Sequence, residues 1–495
     1  MIREVINIFL NKKKRILSLL DTVSEMIEII GQQRNSSSFI SDCIAALDVI
    51  LFQLEQEKEV PSKTIEQLKK AQGYFNELIN GNTPVNSQSL EALTQQTEML
   101  KALSQEEIGV KLNVVFLPYK ASMWDSLATV YEAAVKDENC VARVVPIPYY
   151  QLSQNEAIPT YEGERFPAHV PITHYNEYNL EEEEPDIIFI HNIYDDYNTI
   201  TRVHEHFFTS NLKRFTDMLV YVPYHVSTFI QKGGDGDRSY NLPSVVNVDK
   251  IVVLGQYIKE AAIRDGVPEE KLLALGSPKL DVMSKVINKE LSYPDEWNER
   301  IEGKTVYLLN TGCLYFGENP LAKLERLTDL LHFPRYIENS VVIWRPHPLT
   351  KICIQKYTPF LMEYYIDLTE RRIPSGSVYN HVIFDQTDDY MPALQAADVL
   401  ISYDGSLLRS FLLTEKKVLF WGPEMPEGSL LPKDAFYYAF DPQEPWYEHI
   451  KKFANGIDPL AEKRKGIVSQ MYANADGTSG QKVYETIKQC VLQEG

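Results

Sequence analysis

The sequence is short of basic charge. Lys and Arg number 49 against 69 Asp and Glu, a formal net charge of −20. That balance argues against nucleic acid as a partner, because backbone binding needs a basic face. It argues equally against broad adhesion to an anionic membrane. A local basic pocket is still allowed. Cysteine is scarce as well. Cys43, Cys140, Cys313, Cys353 and Cys490 are widely scattered and fit no zinc spacing and no CxxC pair. This points to a reducing compartment. No apolar run reaches about eighteen residues, so no transmembrane helix is expected. The stretch MIREVINIFLNKKKR places its Lys cluster after the apolar residues and shows no small-residue cleavage site, unlike a signal peptide. A cytoplasmic location is expected, with peripheral association at the inner face of the membrane as the alternative. No GxGxxG follows a first strand, which argues against a dinucleotide cofactor. No GxSxG elbow and no HExxH are present, so hydrolase and metalloprotease readings lack support.

What is present is a globular composition, 44% hydrophobic and 24% charged over 495 residues. That length calls for at least two domains. Residues 1–108 show helical periodicity, beginning with an apolar stripe through Ile2, Val5, Ile6, Phe9 and Leu10. Breaks at Gln32–Ser38, Val60–Ser62 and Gly81–Pro84 divide it into three or four antiparallel helices. This region reads as a packing or homo-oligomerisation unit. A membrane-docking role for Lys12-Lys13-Lys14-Arg15 is the sharper alternative. From about residue 109 to 285, strand-like runs alternate with helical ones, as βαβ units do. After a charged bridge, Ser284–Gly303, the alternation restarts and fills 286–495. The last stretch, Thr478–Leu492, reads as a helix that crosses back to the first half. The expected fold class is α/β, two Rossmann-like domains facing a cleft in the glycosyltransferase-B manner, with an N-terminal all-helical segment.

In open α/β sheets, ligands bind outside the carboxyl ends of the strands. The candidate residues therefore lie at strand ends. In the second half these are Arg345 and His347, in VVIWRPHPL, and Asp404, Gly405 and Ser406, in LISYDGS. A cation, an imidazole and a small-residue loop opening a helix suit a phosphorylated ligand. In the first half they are Lys120, Trp124 and Asp125, then His191 and Tyr194, then His225. Ser227, Thr228 and the loop QKGGDGDRSY follow His225 and read either as a mobile cleft loop or as a surface linker. Ser277 and Lys279, in GSPKLD, read as cleft residues or as a simple capped turn. His191 reads more simply as a structural hydrogen-bonding residue. Asp195-Asp196, Asp235/Asp237 and Asp388-Asp389 read as solvated loop charges. No metal site is expected, since none has a full ligand pattern.

Three of these segments resemble motifs of the CDP-glycerol glycerophosphotransferase family, which includes teichoic acid polymerases and primases. Gly276-Ser277-Pro278-Lys279-Leu280-Asp281 is similar to its Gly-x-Pro-Arg-x-Asp turn, with Lys279 in place of Arg. Arg345-Pro346-His347-Pro348 is similar to its Arg-x-His-Pro strand end. Ala397–Gly422 resembles its strand, Asp-Tyr-Ser-Ser and helix segment, with Tyr403-Asp404-Gly405-Ser406 in place of the tetrad. The resemblance covers roughly 110–470. It implies CDP-glycerol as donor, with His347 and Ser406 at the phosphates and Arg345 nearby. It implies a histidine base on the acceptor side, for which His225 in Tyr224-His225-Val226 is the nearest equivalent. A polymer or lipid-linked acceptor is then expected, with CMP as leaving group and no motif requiring a divalent metal. A nucleotide-sugar glycosyltransferase of the same fold is the alternative, as is a non-catalytic nucleotide-binding subunit.

Overall fold

The computed structural model describes residues 6–32, 36–57, 59–152, 156–198, 200–226, 242–387, 389–403, 405–425 and 431–494. Ser227, Thr228, residues 231–240, Asp388 and Asp404 lie outside the described residues.

The N-terminal helices are α1 (Leu10–Gln32), α2 (Ser37–Glu55), α3 (Ser62–Ile79) and α4 (Ser87–Glu107). Each buries one stripe. In α1 the stripe is Leu10, Ile16, Leu20, Val23, Ile27 and Ile30, at the three-to-four spacing of a helix face. Asn86 and Ser89 close a reciprocal capping box at the start of α4. Helix α2 is long and apolar enough to cross a membrane by length and composition. Its Ile40, Cys43, Leu47, Ile50 and Leu54 are buried in the bundle.

The bundle is tied into the first sheet by a strand that the sequence did not reveal. Ile6–Phe9 forms a strand, β1, rather than the start of the helical stripe. It pairs in parallel with Ile108–Lys111, the first residues of β2 (Ile108–Leu117). Strand alternation buries Ile6 and Ile8 with the bundle core and leaves Asn7 exposed. The four helices are therefore one long connection between neighbouring parallel strands. The basic cluster is spent on this junction. Lys12 pairs with Glu57 at 2.6 Å, Lys14 with Asp217 at 3.4 Å and Arg15 with Glu184 at 3.0 Å. Lys13 donates to the carbonyl of Ile108. Asp186 receives the backbone N–H groups of Asn11 and Asn113.

The first sheet continues with β3 (Cys140–Val144), β6 (Ile187–Ile190), β8 (Met218–Tyr221), β9 (Lys250–Val253) and β10 (Leu272–Ala274). All its pairings are parallel, in the order β1-β2-β6-β8-β9-β10, and β3 pairs β2. Helix α5 (Asp125–Lys136) follows β2. A separate antiparallel sheet that the sequence did not reveal is built from β4 (Tyr149–Leu152), β5 (Ala157–Thr160) and β7 (Thr201–Val203). The second sheet holds β11 (Thr305–Thr311), β12 (Ser340–Pro346), β13 (Val382–Phe384), β14 (Val399–Ser402), β15 (Lys417–Phe420) and β16 (Tyr437–Tyr438). Its order, β13-β12-β11-β14-β15-β16, is fully parallel and reproduces the 3-2-1-4-5-6 Rossmann order. The strands are apolar runs because both faces are covered: β14 reads VLIS and every residue is buried.

The C-terminal helix Ser479–Glu494 packs on α5, in the first half. Asp281 receives the N–H groups of Ser479 and Gly480 at 3.0 and 2.8 Å, capping that helix from the first half. Tyr484 and Lys488 both reach Asp137. The final helix thus belongs spatially with the first sheet. Gly276 sits at φ +89°, and a Cβ there would meet the carbonyl of Ala473 and the hydroxyl of Ser479. Only glycine lets the crossing segment lie this close.

Candidate functional site

The second sheet reverses its strand order between β11 and β14, and such a reversal opens a crevice beyond the carboxyl ends. Asn310, near the end of β11, donates to Ser402 at the end of β14 across 3.1 Å. Beyond this bridge lie Gly312 on one side and Gly405-Ser406 on the other. A Cβ added to either glycine meets nothing within 4 Å. Ser406 opens the helix Ser406–Leu412 and is exposed. Tyr403 is half-buried beside it, with the Lys323 ammonium 5.5 Å from its ring centre. Burial pushes the Tyr403 phenol up to about 12, so it remains a neutral hydroxyl.

The next strand, β12, ends in Arg345 and His347, and both line a cavity of about 410 Å³ with Lys351, Asp385 and Thr387. Their roles differ. The Arg345 side chain is 11% exposed and lies 2.5 Å from Asp385, which is 0% exposed. Its guanidinium also donates to the hydroxyl and carbonyl of Thr387, at 3.2 and 2.7 Å. Arg345 thereby ties the end of β12 to the end of β13. His347 is exposed. Its backbone N–H donates to Thr311 at 2.9 Å, linking β12 to β11. Its Nδ1 accepts from the Leu349 N–H at 3.1 Å. The neutral ring therefore carries its proton on Nε2, which makes that atom a hydrogen-bond donor.

The first sheet reverses between β2 and β6, and there the crevice is filled. His191 follows β6 and is 0% exposed. Its Nε2 accepts from the Tyr119 N–H at 3.1 Å, so Nδ1 carries the proton, 3.1 Å from the Ser126 hydroxyl. Burial pushes its pKa down to about 3, which keeps it neutral. Trp124 is likewise a core residue, packed edge-on against Tyr131 and Phe166. Around this plug stands a floor of rings. Tyr119 meets Tyr149 at 5.2 Å and Tyr224 at 6.5 Å, and Tyr194 meets Tyr224 at 6.2 Å. The Lys120 ammonium lies 5.7 and 5.4 Å from the centres of Tyr119 and Tyr149. His225, 5.0 Å from the Tyr224 ring, shares a small cavity with Gly276 and Ser277 at the ends of β8, β9 and β10.

Lys279 pairs with Asp125 at 2.9 Å, so two separately predicted residues meet at the start of α5. Tyr390, which sequence reading passed over, comes near Asp125, Ser410 and Arg345, and burial raises its pKa. It brings the second half to the first at this point. Asp385 and Thr387 were also missed, although an acid one step beyond a strand run is the signal that marks them. Asp195 is not a solvated loop charge. It is buried at φ +47° and receives the N–H and hydroxyl of Thr209. Asp389 accepts from the Met391 N–H. Among the described residues no group of His, Cys, Asp and Glu is placed to hold a metal ion.

No protein-family model matches the sequence, and no curated protein sequence matches it. Distant similarity to solved structures is found. A putative UDP-N-acetylglucosamine 2-epimerase from Listeria monocytogenes is 12% identical, over 78% of this chain and 98% of that one, with a TM-score of 0.49. The UDP-GlcNAc 2-epimerase from Neisseria meningitidis bound to UDP-GlcNAc is 11% identical over 76% and 100%, with a TM-score of 0.48. A variant of the wall teichoic acid polymerase TagF is 13% identical over 87% and 99%, with a TM-score of 0.47.

Proposed function

We propose that this chain is a transferase that moves glycerol phosphate, or a related alditol phosphate, from a CDP-activated donor to a hydroxyl of a cell-envelope or surface glycopolymer. One observation carries the reading: Arg345 and His347, the residues of the Arg-x-His-Pro motif, line one cavity beside the strand-order reversal of a Rossmann-ordered sheet. In this reading the donor pyrophosphate lies along the ends of β11, β12 and β14. His347 donates Nε2–H to a phosphate oxygen. Arg345 acts mainly by fixing the strand ends, because Asp385 and Thr387 occupy its guanidinium. Gly405 and Ser406 admit the phosphates closely, and Asp404 is assigned to the same loop. Ser277 and Lys279 approach from the first half.

The acceptor side is the aromatic floor with Lys120, Tyr194 and His225. The acceptor oxygen attacks the β-phosphorus of the donor, and the bond from that phosphorus to the CMP oxygen breaks. The hydroxyl proton passes to His225, and CMP leaves with the electron pair. Positioning and charge stabilisation dominate such a transfer. The test is incubation of the full chain with CDP-glycerol and a glycerol-phosphate-primed glycolipid, with release of CMP as readout. CMP release that requires both substrates supports the reading. Binding of UDP-sugars in preference to CDP-glycerol overturns it in favour of a sugar transferase. Nucleotide binding with no turnover on either donor class overturns it in favour of a binding subunit.

A further inference from the structure

The inserted antiparallel sheet β4-β5-β7 builds a second cavity in the first half, about 410 Å³ in volume. That size falls within the roughly 300–1,000 Å³ of small-molecule sites. Its walls are Tyr150, Tyr175 and Phe207, and its polar groups include Asn176, His204 and His206. No Lys, Arg, Asp or Glu lines it among the described residues. The wall rings are held by neighbours: His204 stacks on Tyr150 with ring centres 6.0 Å apart, and His174 stacks on Tyr175 at 4.5 Å. The Nδ1 atoms of His204 and His174 accept from the N–H groups of His206 and Asn176, both at 3.2 Å. The neutral His204 ring therefore carries its proton on Nε2, as a donor. A ring-walled cavity of this kind offers flat apolar faces together with a few directed hydrogen bonds. The lining of the cavity also packs against the proposed acceptor side. Tyr149 lines it, packs edge-on against Tyr119, and so continues into the rings beside His225.

We infer that this cavity is a subsite for an uncharged sugar ring of the acceptor. A nucleotide or a phosphate favours a Lys or Arg among its contacts, and neither lines the cavity among the described residues. A purely apolar ligand would displace water from the Asn176 amide and the imidazoles without replacing its hydrogen bonds. A pyranose meets both demands, with its CH face on an aromatic wall and its hydroxyls on Asn176 and His204. Only the word acceptor rests on the transferase reading. The remainder rests on the lining.

The experiment is saturation-transfer NMR on the full chain with N,N′-diacetylchitobiose and with maltotriose, alongside calorimetry with CDP-glycerol. Saturation transfer to ring protons of at least one sugar is expected. It should fall at least fivefold in Tyr175→Ala and in Asn176→Ala; Asn176 is exposed, so that variant keeps the fold. No transfer to either sugar, or transfer undiminished in both variants, overturns the inference. CDP-glycerol binding retained while both sugars fail overturns the subsite alone. Sugar binding retained while CDP-glycerol fails overturns the transferase reading and keeps the subsite.

Discussion

The two parallel sheets offer the same opening and treat it oppositely. Each reverses its strand order once, and each reversal leaves a crevice at the carboxyl ends. In the first sheet a buried, neutral His191 fills the crevice and bonds the end of β2. In the second sheet Gly312 and Gly405 flank it, and a Cβ at either would meet nothing within 4 Å. The surroundings differ in the same sense. Rings gather at the first sheet's strand ends, while in the second Arg345 and His347 at a strand end share a cavity with Lys351 of the following helix. The backbone topology therefore supplies a place, and a handful of side chains decides whether a charged ligand can use it. A histidine at a strand end has no fixed meaning. His191 is a strut and His347 is an exposed donor, because only one of them is enclosed.

The largest expected effect breaks the second sheet's strand ends. Arg345→Met strands Asp385 in a site where that side chain is 0% exposed. Removing one partner of such a pair costs about 3–5 kcal/mol, so thermal unfolding should shift down strongly. Adding Asp385→Asn should recover part of the loss. A normal melting temperature with donor affinity alone reduced would instead make Arg345 a ligand contact.

The next effect concerns the plug. The folded pKa of His191, pushed down to about 3, lies below its ordinary 6.5. Its contribution to stability is thus complete above pH 6.5 and is lost as the pH falls toward 3, since only the unfolded chain takes up the proton there. Asp186 works the other way. Burial raises it to about 6, so its contribution grows as the pH falls below that value. Comparison with His191→Gln isolates the histidine. The stability advantage of the wild type, from urea unfolding, should shrink by about 1.4 kcal/mol per pH unit below 6.5. A pH-independent difference would mean that His191 takes up its proton as readily in the folded protein as in the unfolded chain.

The smallest effect is at Lys120. Lys120→Met removes two cation–ring contacts and should cost roughly 0.5–1 kcal/mol of stability. CDP-glycerol affinity should not change. A weakened donor affinity would place the donor on the first sheet and erase the contrast between the two crevices.

Much of this architecture was legible in the sequence. Runs such as VVIWRP and VLIS are apolar on both faces, and only a covered parallel strand requires that. The helix breaks near Gln32, Pro61 and Gly81 were legible because polar, proline and glycine residues interrupt a helical stripe. Ile6–Phe9 was not legible. Four apolar-rich residues directly before a helix fit its periodicity as well as a strand's, and only pairing with Ile108–Lys111 decides. Strands β4, β5 and β7 were missed because they are short and β5 contains Pro159. At the candidate site, Arg345 and His347 were found as a pair, but burial separates their work. The carboxylate that holds Arg345 lies forty residues away, one step beyond another strand; its place at a strand end is legible, but its pairing with Arg345 is not.

The most direct test is the donor affinity of His347→Ala. CDP-glycerol binding by calorimetry and thermal melting should be measured on one preparation, wild type beside variant. Loss of a hydrogen bond to a charged phosphate costs about 1.5–3 kcal/mol, so the dissociation constant should rise roughly 10- to 150-fold. The melting temperature should hold, because the side chain is exposed and its described bond is to the nearby Leu349 N–H. An unchanged dissociation constant with a lowered melting temperature would contradict the account, making His347 a fastener of the strand end like Arg345.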